Sequence, residues 1–137
     1  MTPFDGRREV PEELNQLSFN VIGACIAVHR ELGAGLPEEV YANALAMELE
    51  ALKISFERER RLEVYYRGKL VGYCKVDFIV AGKLVIELKS VDCFSKQHIA
   101  QVITYLRILK EPLGLLVNFN VPVLKDGIKR VIQGRDF

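Results

Sequence analysis

The spacing of apolar residues along the chain first follows a helical period. From Glu12 to Leu32, apolar residues recur every three or four positions, which predicts an amphipathic helix. The segment 33–35 contains two glycines and predicts the end of this helix. Pro37 suits the first turn of a second helix, which we expect to run to about Lys53.

After the second helix the pattern becomes typical of strands separated by short turns. We expect strands at Ile54–Glu59, Arg61–Tyr66, about Leu70–Val80 and Leu84–Lys89. Glycine-containing segments at 67–69 and 81–83 separate the later strands and predict tight turns. The stretch 54–89 is therefore predicted to be an antiparallel meander.

The remaining chain predicts a third helix and the closing strands. Ser95 is a suitable N-cap for a helix over Lys96–Leu109, and Pro112 follows its end. Leu113–Phe119 is almost entirely apolar, which is typical of a strand buried on both faces. Val121–Val131, interrupted at 126–127, is expected to be a closing hairpin or an edge strand. The predicted order is α-α-β-β-β-β-α-β-β.

Length and composition indicate one globular domain. The chain has 137 residues, of which 50% are hydrophobic and 27% are charged. We expect a flexible leader at residues 1–11 and a single domain at 12–137. A net charge of +1 argues against a highly basic nucleic-acid-binding coat, although it does not argue against a local basic groove.

Two further features concern the cellular setting. No apolar run approaches the length that would span a bilayer, so no membrane partner is expected. The three cysteines are an odd number at unrelated spacings, without a metal-binding pattern or a disulfide framework. A reducing cytoplasm is the expected location.

The residues that suggest chemistry are Asp77, Glu87 and Lys89. Glu87 and Lys89 are two positions apart on a predicted strand, so their side chains share a face. Pairing with the preceding strand could bring Asp77 close to Glu87. Two neighbouring carboxylates repel each other, and Mg²⁺ or Mn²⁺ would relieve that repulsion. The alternative is a structural ion pair of Lys89 with Glu87 or Asp77.

These residues resemble a known superfamily. Asp77, nine intervening residues and then Glu87-Leu88-Lys89 resemble the D…(D/E)xK signature of the PD-(D/E)xK nucleases. The whole chain is similar to the GxxExxY proteins of that superfamily, and Gly35, Glu38 and Tyr41 match the naming motif. The similarity continues through IGACIAVHRELG (22–33), VIELKSV (85–91), HIAQVITYL (98–106), GLLVNF (114–119) and LKDGIKR (124–130).

The resemblance implies an α/β (α+β) fold with a restriction-endonuclease-like core, a central mixed β-sheet flanked by helices. It implies that Asp77 and Glu87 bind Mg²⁺ or Mn²⁺ and that the backbone carbonyl of Leu88 completes the metal shell. Lys89 would then assist the attack of water on a phosphodiester. Lys75-Val76-Asp77 stands where the family often has Arg-Ala-Asp, and the proline of the signature is absent.

Other candidates lie on the second and third predicted helices. Glu38 shares a stripe with Tyr41, and the resemblance implies that it joins the metal cluster. A favourable charge at a helix N-terminus is the alternative for Glu38. His98, Gln101 and Tyr105 share one face of the third helix, and Gln101-x-x-x-Tyr105 matches a family helix beside the active site. A helix face packed on the sheet is the alternative there.

Catalytic and substrate-contacting roles are predicted for six of these residues. Gln101 and Glu38 are expected to be catalytic, and four residues are expected to contact substrate: His98, Tyr105, Tyr41 and Lys75. The segment Arg58–Lys69 holds five basic and two acidic residues, which could contact a phosphate backbone or form a solvated face.

Three functions follow from these observations. The first is a metal-dependent nuclease acting on DNA or RNA. The alternative is a catalytically silent nuclease-like module that binds nucleic acid or supports assembly. A third, weaker possibility is hydrolysis of a small phosphoester. A homodimer could supply the additional surface that a domain of this size needs to select its substrate.

Overall fold

The computed structural model describes residues 10–134, so the predicted leader lies outside the described residues except for its last two positions. Three α-helices are present in this range: α1 (Glu12–Leu32), α2 (Glu38–Ala51) and α3 (Lys96–Leu109). Five strands accompany them: β1 (Phe56–Tyr66), β2 (Lys69–Val80), β3 (Leu84–Lys89), β4 (Leu113–Asn118) and β5 (Ile128–Ile132). No helix in residues 10–134 is long and apolar enough to cross a membrane.

The strands form one mixed sheet in the order β1-β2-β3-β4-β5. All neighbouring strands are antiparallel except β3 and β4, which are parallel. Parallel neighbours require a crossover connection, and α3 provides it. The predicted α+β class with a restriction-endonuclease-like core is confirmed.

Helices cover both faces of the sheet. The α1 and α2 helices pack on one face against residues such as Phe78, Leu115 and Val117. The α3 helix packs on the other face against residues such as Ile79 and Leu116. Because both faces are covered, every β4 residue is buried, as its apolar sequence predicts.

Three predicted boundaries differ from the structure. The two strands expected at Ile54–Glu59 and Arg61–Tyr66 are one strand, β1, in which Glu59 has a φ of 52°. The expected edge strand within Val121–Val131 is confirmed as β5, but it begins only at Ile128, after a 3₁₀ turn (Leu124–Gly127). Val10 belongs to the core rather than to a loose leader, and its carbonyl accepts a hydrogen bond from Asn15.

Candidate active site

The candidate site lies where β2 separates from β3. The regular ladder between these strands ends at the pair Phe78 and Ile86. Beyond it, the backbone N–H of Asp77 donates to Oε1 of Glu87 at 2.8 Å. The backbone N–H of Leu88 donates to Oδ2 of Asp77 at 2.8 Å. Two carboxylates therefore replace ladder bonds, and the predicted proximity of Asp77 and Glu87 is confirmed.

This arrangement places two carboxyl groups where solvation is poor. Glu87 is only 3% exposed. Its burial, and then the neighbouring charge of Asp77, raise the pKa of Glu87 to about 8. Burial is also the main cause that raises the pKa of Asp77, with smaller contributions from Glu38 and Glu59. Backbone hydrogen bonds and Lys89 lower both pKa values, but they do not offset the effects that raise them. The pair therefore favours binding a proton or a cation.

Lys89 approaches the carboxylate pair from the α3 side of the sheet. Its Nζ atom lies 3.8 Å from Oε2 of Glu87 and 3.4 Å from Oε1 of Gln101. The side chain of Lys89 is 17% exposed, so it is partly shielded from water. The structure thus brings together Lys89, Glu87 and the predicted catalytic residue Gln101.

A cleft of about 440 Å³ opens beside Asp77. Glu38, Glu59 and Leu88 are among the residues that line it. The N–H of Leu88 points toward β2, and the N–H and C=O of one strand residue point to the same edge. The carbonyl of Leu88 therefore also points toward β2.

The GxxExxY residues position Glu38 at this cleft. Gly35 has a φ of 95°, a conformation that glycine adopts without strain. The Tyr41 hydroxyl donates to the Gly33 carbonyl at 2.6 Å and accepts from the Leu36 N–H at 3.1 Å. The Ser90 hydroxyl donates to the Leu36 carbonyl at 2.9 Å. These bonds fasten the start of α2 to the end of β3.

Tyr41 is therefore a structural residue and not the substrate contact that was expected. It has no exposed surface, and its ring stacks on Phe119 with centroids 4.4 Å apart. A side chain that is buried on the inward face of α2 cannot reach a substrate in the cleft.

One further substrate prediction also requires correction. Tyr105 is 3% exposed, and its hydroxyl donates to the backbone carbonyl of Lys75 at 2.9 Å, so it ties α3 to β2. His98 closes a capping box with Ser95: its Nδ1 accepts from the Ser95 N–H at 3.1 Å. His98 is partly exposed, and its contact with substrate stays a prediction. Lys75 differs, because its side chain is 62% exposed and its Nζ lies 3.9 Å from Oε1 of Glu59.

Sequence reasoning missed Glu59 as a residue of the site and gave Arg58 only as part of a basic segment; both line the cleft with Asp77. Arg58 pairs with Phe78 and Arg60 pairs with Val76, so Glu59 lies opposite Asp77 in the hairpin. The left-handed conformation of Glu59 interrupts the ladder at this point, as irregular strand residues often do beside functional sites. The turn at Arg67-Gly68 indicates the hairpin, but a register shift between Val64 and Tyr65 means that counting from the turn does not find this pairing.

The donor atoms fit a hard divalent cation only in part. No group of three or more His, Cys, Asp or Glu side chains in residues 10–134 is placed to hold a metal ion. The predicted cluster of Glu38 with Asp77 and Glu87 is therefore not assembled. Asp77, Glu87 and the Leu88 carbonyl supply oxygen ligands, the type that Mg²⁺ and Mn²⁺ prefer, and Mg²⁺ often keeps several waters.

A mixed sheet flanked by helices, with Asp, Glu and Lys at the point where two strands separate, defines a restriction-endonuclease-like domain. Residues 15–131 match the family model of the PD-(D/E)XK nuclease superfamily, and the chain belongs to that superfamily. Such nucleases generally use divalent metals, and membership suggests nuclease activity on nucleic acid. No curated protein and no solved structure matches the chain.

Proposed function

We propose that this protein is a divalent-metal-dependent nuclease that hydrolyses phosphodiester bonds in DNA or RNA. The observation that carries the proposal is the reciprocal hydrogen bonding of Asp77 with Glu87 and Leu88, with Lys89 beside the pair. In this proposal Asp77, Glu87 and the Leu88 carbonyl hold Mg²⁺ or Mn²⁺. The bound cation supplies Lewis acidity to the scissile phosphate.

The protein's own side chains carry the other roles in the proposed reaction. Lys89 orients the attacking water and offsets the negative charge that develops at phosphorus in the transition state. Gln101 positions Lys89, because its Oε1 accepts the contact from Nζ at 3.4 Å. Glu38 faces the cleft from the start of α2 and orients a water at its mouth.

Three finer assignments accompany the proposal. The GxxExxY type is supported by Gly35 and Tyr41, which shape the loop before Glu38. A cytoplasmic location is supported by the free thiols of Cys25, Cys74 and Cys93. The single domain over 12–137 and the homodimer stay predictions.

The test is cleavage of single- and double-stranded DNA and RNA with Mg²⁺ or Mn²⁺, compared between the natural chain and Lys89→Met. Methionine keeps the apolar stem of the side chain and removes only the charge. We expect the cleavage rate to fall by about 100-fold, the typical effect of removing one transition-state donor. Lys83→Met is the matched control, because Lys83 pairs with Glu13 at the opposite end of β3.

Cleavage that is unchanged in Lys89→Met, or that continues in EDTA, would contradict the proposal. Calorimetric titration of Mn²⁺ separates metal binding from chemistry: Asp77→Asn and Glu87→Gln should each abolish it, whereas Lys89→Met should retain it.

The silent nucleic-acid-binding module is the second candidate, and one observation favours it. Within residues 10–134 the acidic side chains do not assemble the three-residue metal group that was expected. This candidate predicts nucleic-acid binding that is insensitive to EDTA and to Glu87→Gln, with no cleavage of any of the four substrates.

A further inference from the structure

The β1–β2 hairpin extends well beyond the rest of the sheet. β2 pairs with β3 only through Phe78, Ile79 and Val80. Among the described strands, residues 60–76, here called the arm, therefore pair only with each other. The α3 side of the arm is covered, because Leu62 and Val76 pack in the same cluster as α3 residues. Its opposite face is open to solvent.

The open face of the arm is continuous with the cleft. Lys75 contacts Glu59, and Glu59 lines the cleft with Asp77. Arg61 lies directly opposite Lys75, so the two side chains share this face. Tyr73 is two positions from Lys75 and shares it too. The Arg61 guanidinium lies 4.0 Å from the centroid of the Tyr73 ring.

The arm combines positive charge with exposed aromatic rings. Five of its residues are basic and one, Glu63, is acidic, a formal charge of +4, whereas the whole chain carries +1. Its three tyrosines, Tyr65, Tyr66 and Tyr73, are 59%, 61% and 51% exposed. Basic side chains with interleaved aromatic rings are typical of surfaces that hold single-stranded nucleic acid.

We propose that the open face of the arm holds a single-stranded segment of DNA or RNA and leads it into the Asp77 cleft. Arg61 and Lys75 contact phosphates, and unpaired bases stack on Tyr73 and Tyr65. Tyr65 lies on this face because its hydroxyl donates to Glu63, which lies opposite Tyr73. This inference rests on the proposed nuclease function, which it extends by naming the form of the substrate. Arg61 covers one face of the Tyr73 ring, and the ring is otherwise about half exposed. Exposed tyrosine rings favour a single strand, because the bases of a duplex are already stacked on each other.

A second copy of the chain is a poorer occupant of the same surface. Exposed strand edges can pair with each other, and basic side chains are one means of preventing this. The arm carries Arg60 and Lys69 on its strands and Arg67 at its tip. Two such arms would repel each other, whereas a phosphate backbone would attract either one.

The test is fluorescence anisotropy in EDTA, so that binding is measured without cleavage. The probe is a labelled single strand of about 12 nucleotides, compared with the duplex of the same sequence. We expect Arg61→Gln/Lys75→Gln to weaken binding by about tenfold or more and to flatten its salt dependence by about 1.4 in logarithmic slope. Lys125→Gln, a change at an exposed lysine of the 3₁₀ turn, should bind as the natural chain does.

Stacking is tested separately at Tyr73. Tyr73→Leu should weaken single-strand binding by about tenfold, whereas Tyr73→Phe keeps the ring and should retain binding. Thermal unfolding of each variant verifies that the hairpin is folded. Equal binding of single strand and duplex, together with no effect of Tyr73→Leu, would overturn the proposal. Arm variants that only convert a dimer to a monomer would also overturn it.

The outcome is separable from that of the nuclease proposal. Single-strand binding that depends on the arm, without any cleavage, would support the arm and contradict the nuclease. Metal-dependent cleavage that the arm variants leave unchanged would support the nuclease and contradict the arm.

Discussion

At the scale of single residues, Asp77 and Glu87 serve two purposes. Each accepts a backbone hydrogen bond that the separating strands would otherwise leave unmade. In the proposed function, each also holds the metal ion. Because burial raises the pKa of both groups, the fold retains an electrostatic cost at this position in the absence of a cation.

This cost predicts an unusual dependence of stability on pH. Between about pH 4.5 and pH 8, the unfolded chain has released the proton that folded Glu87 still binds. The free energy of unfolding in EDTA should therefore fall as pH rises, by at most about 1.4 kcal/mol per pH unit for this group. Glu87→Gln cannot titrate and should flatten the profile, with Asp77 leaving a smaller slope. Urea unfolding across this range measures it, and superimposable profiles would contradict the prediction.

Side-chain alternation was sufficient to predict that Glu87 and Lys89 share a face and that Asp77 lies near them. It was not sufficient for the tyrosines. A tyrosine on the apolar face of a helix has the same spacing in the sequence whether its hydroxyl contacts substrate or bonds to a backbone carbonyl. Tyr105 bonds to Lys75, which is 30 positions away, and no local spacing indicates such a partner.

At the scale of elements, helix prediction was accurate where the capping chemistry was local. Ser95 begins α3 and the helix ends at Leu109, as expected. The hairpin was harder, because a β-bulge between Val64 and Tyr65 shifts its register. Counting from the turn alone would place Glu59 opposite Val76. The bulge moves Glu59 opposite Asp77 and so brings it to the cleft.

The 3₁₀ turn before β5 offers a test at the same scale. A Cβ atom at Gly127 would collide with the backbone carbonyl of Asn118, and Val121 lies 3.0 Å away on another side. Backbone cannot move aside easily, so Gly127→Ala should lower the free energy of unfolding by about 1–3 kcal/mol or more. Gly23→Ala is the control, since its Cβ meets nothing within 4 Å and helix propensity favours alanine. Equal effects of the two changes in urea unfolding would contradict the collision.

At the scale of the whole molecule, stability is distributed unevenly. β3 and β4 have strand neighbours on both sides and helices on both faces. The arm has one strand neighbour for each strand and a solvent-exposed face. The apolar and polar pattern predicted the covered centre correctly, because burial on both faces leaves few polar residues. It could not show how far the hairpin extends, because strand length does not specify how many residues pair with β3.

Hydrogen exchange should reveal this difference directly. Amides of the arm should exchange at least about tenfold faster than those of β4, because fewer packed contacts must open. Within the hairpin, protection should decrease from Phe78 toward the turn at Arg67. Nuclear magnetic resonance of the natural chain in EDTA measures both, and uniform protection along β2 would contradict the expectation.

The replacement of ladder bonds by Asp77 and Glu87 has a consequence for the evolution of related chains. A chain that has lost catalysis would still be selected to keep both acids, because they join β2 to β3. Within residues 10–134, the side chain of Lys89 makes long contacts to Glu87 and Gln101, and the sheet does not depend on them. Among related chains, we therefore expect the lysine to disappear first once selection for cleavage is relaxed. The residue at position 89 would therefore distinguish active enzymes from inactive relatives better than Asp77 or Glu87 would.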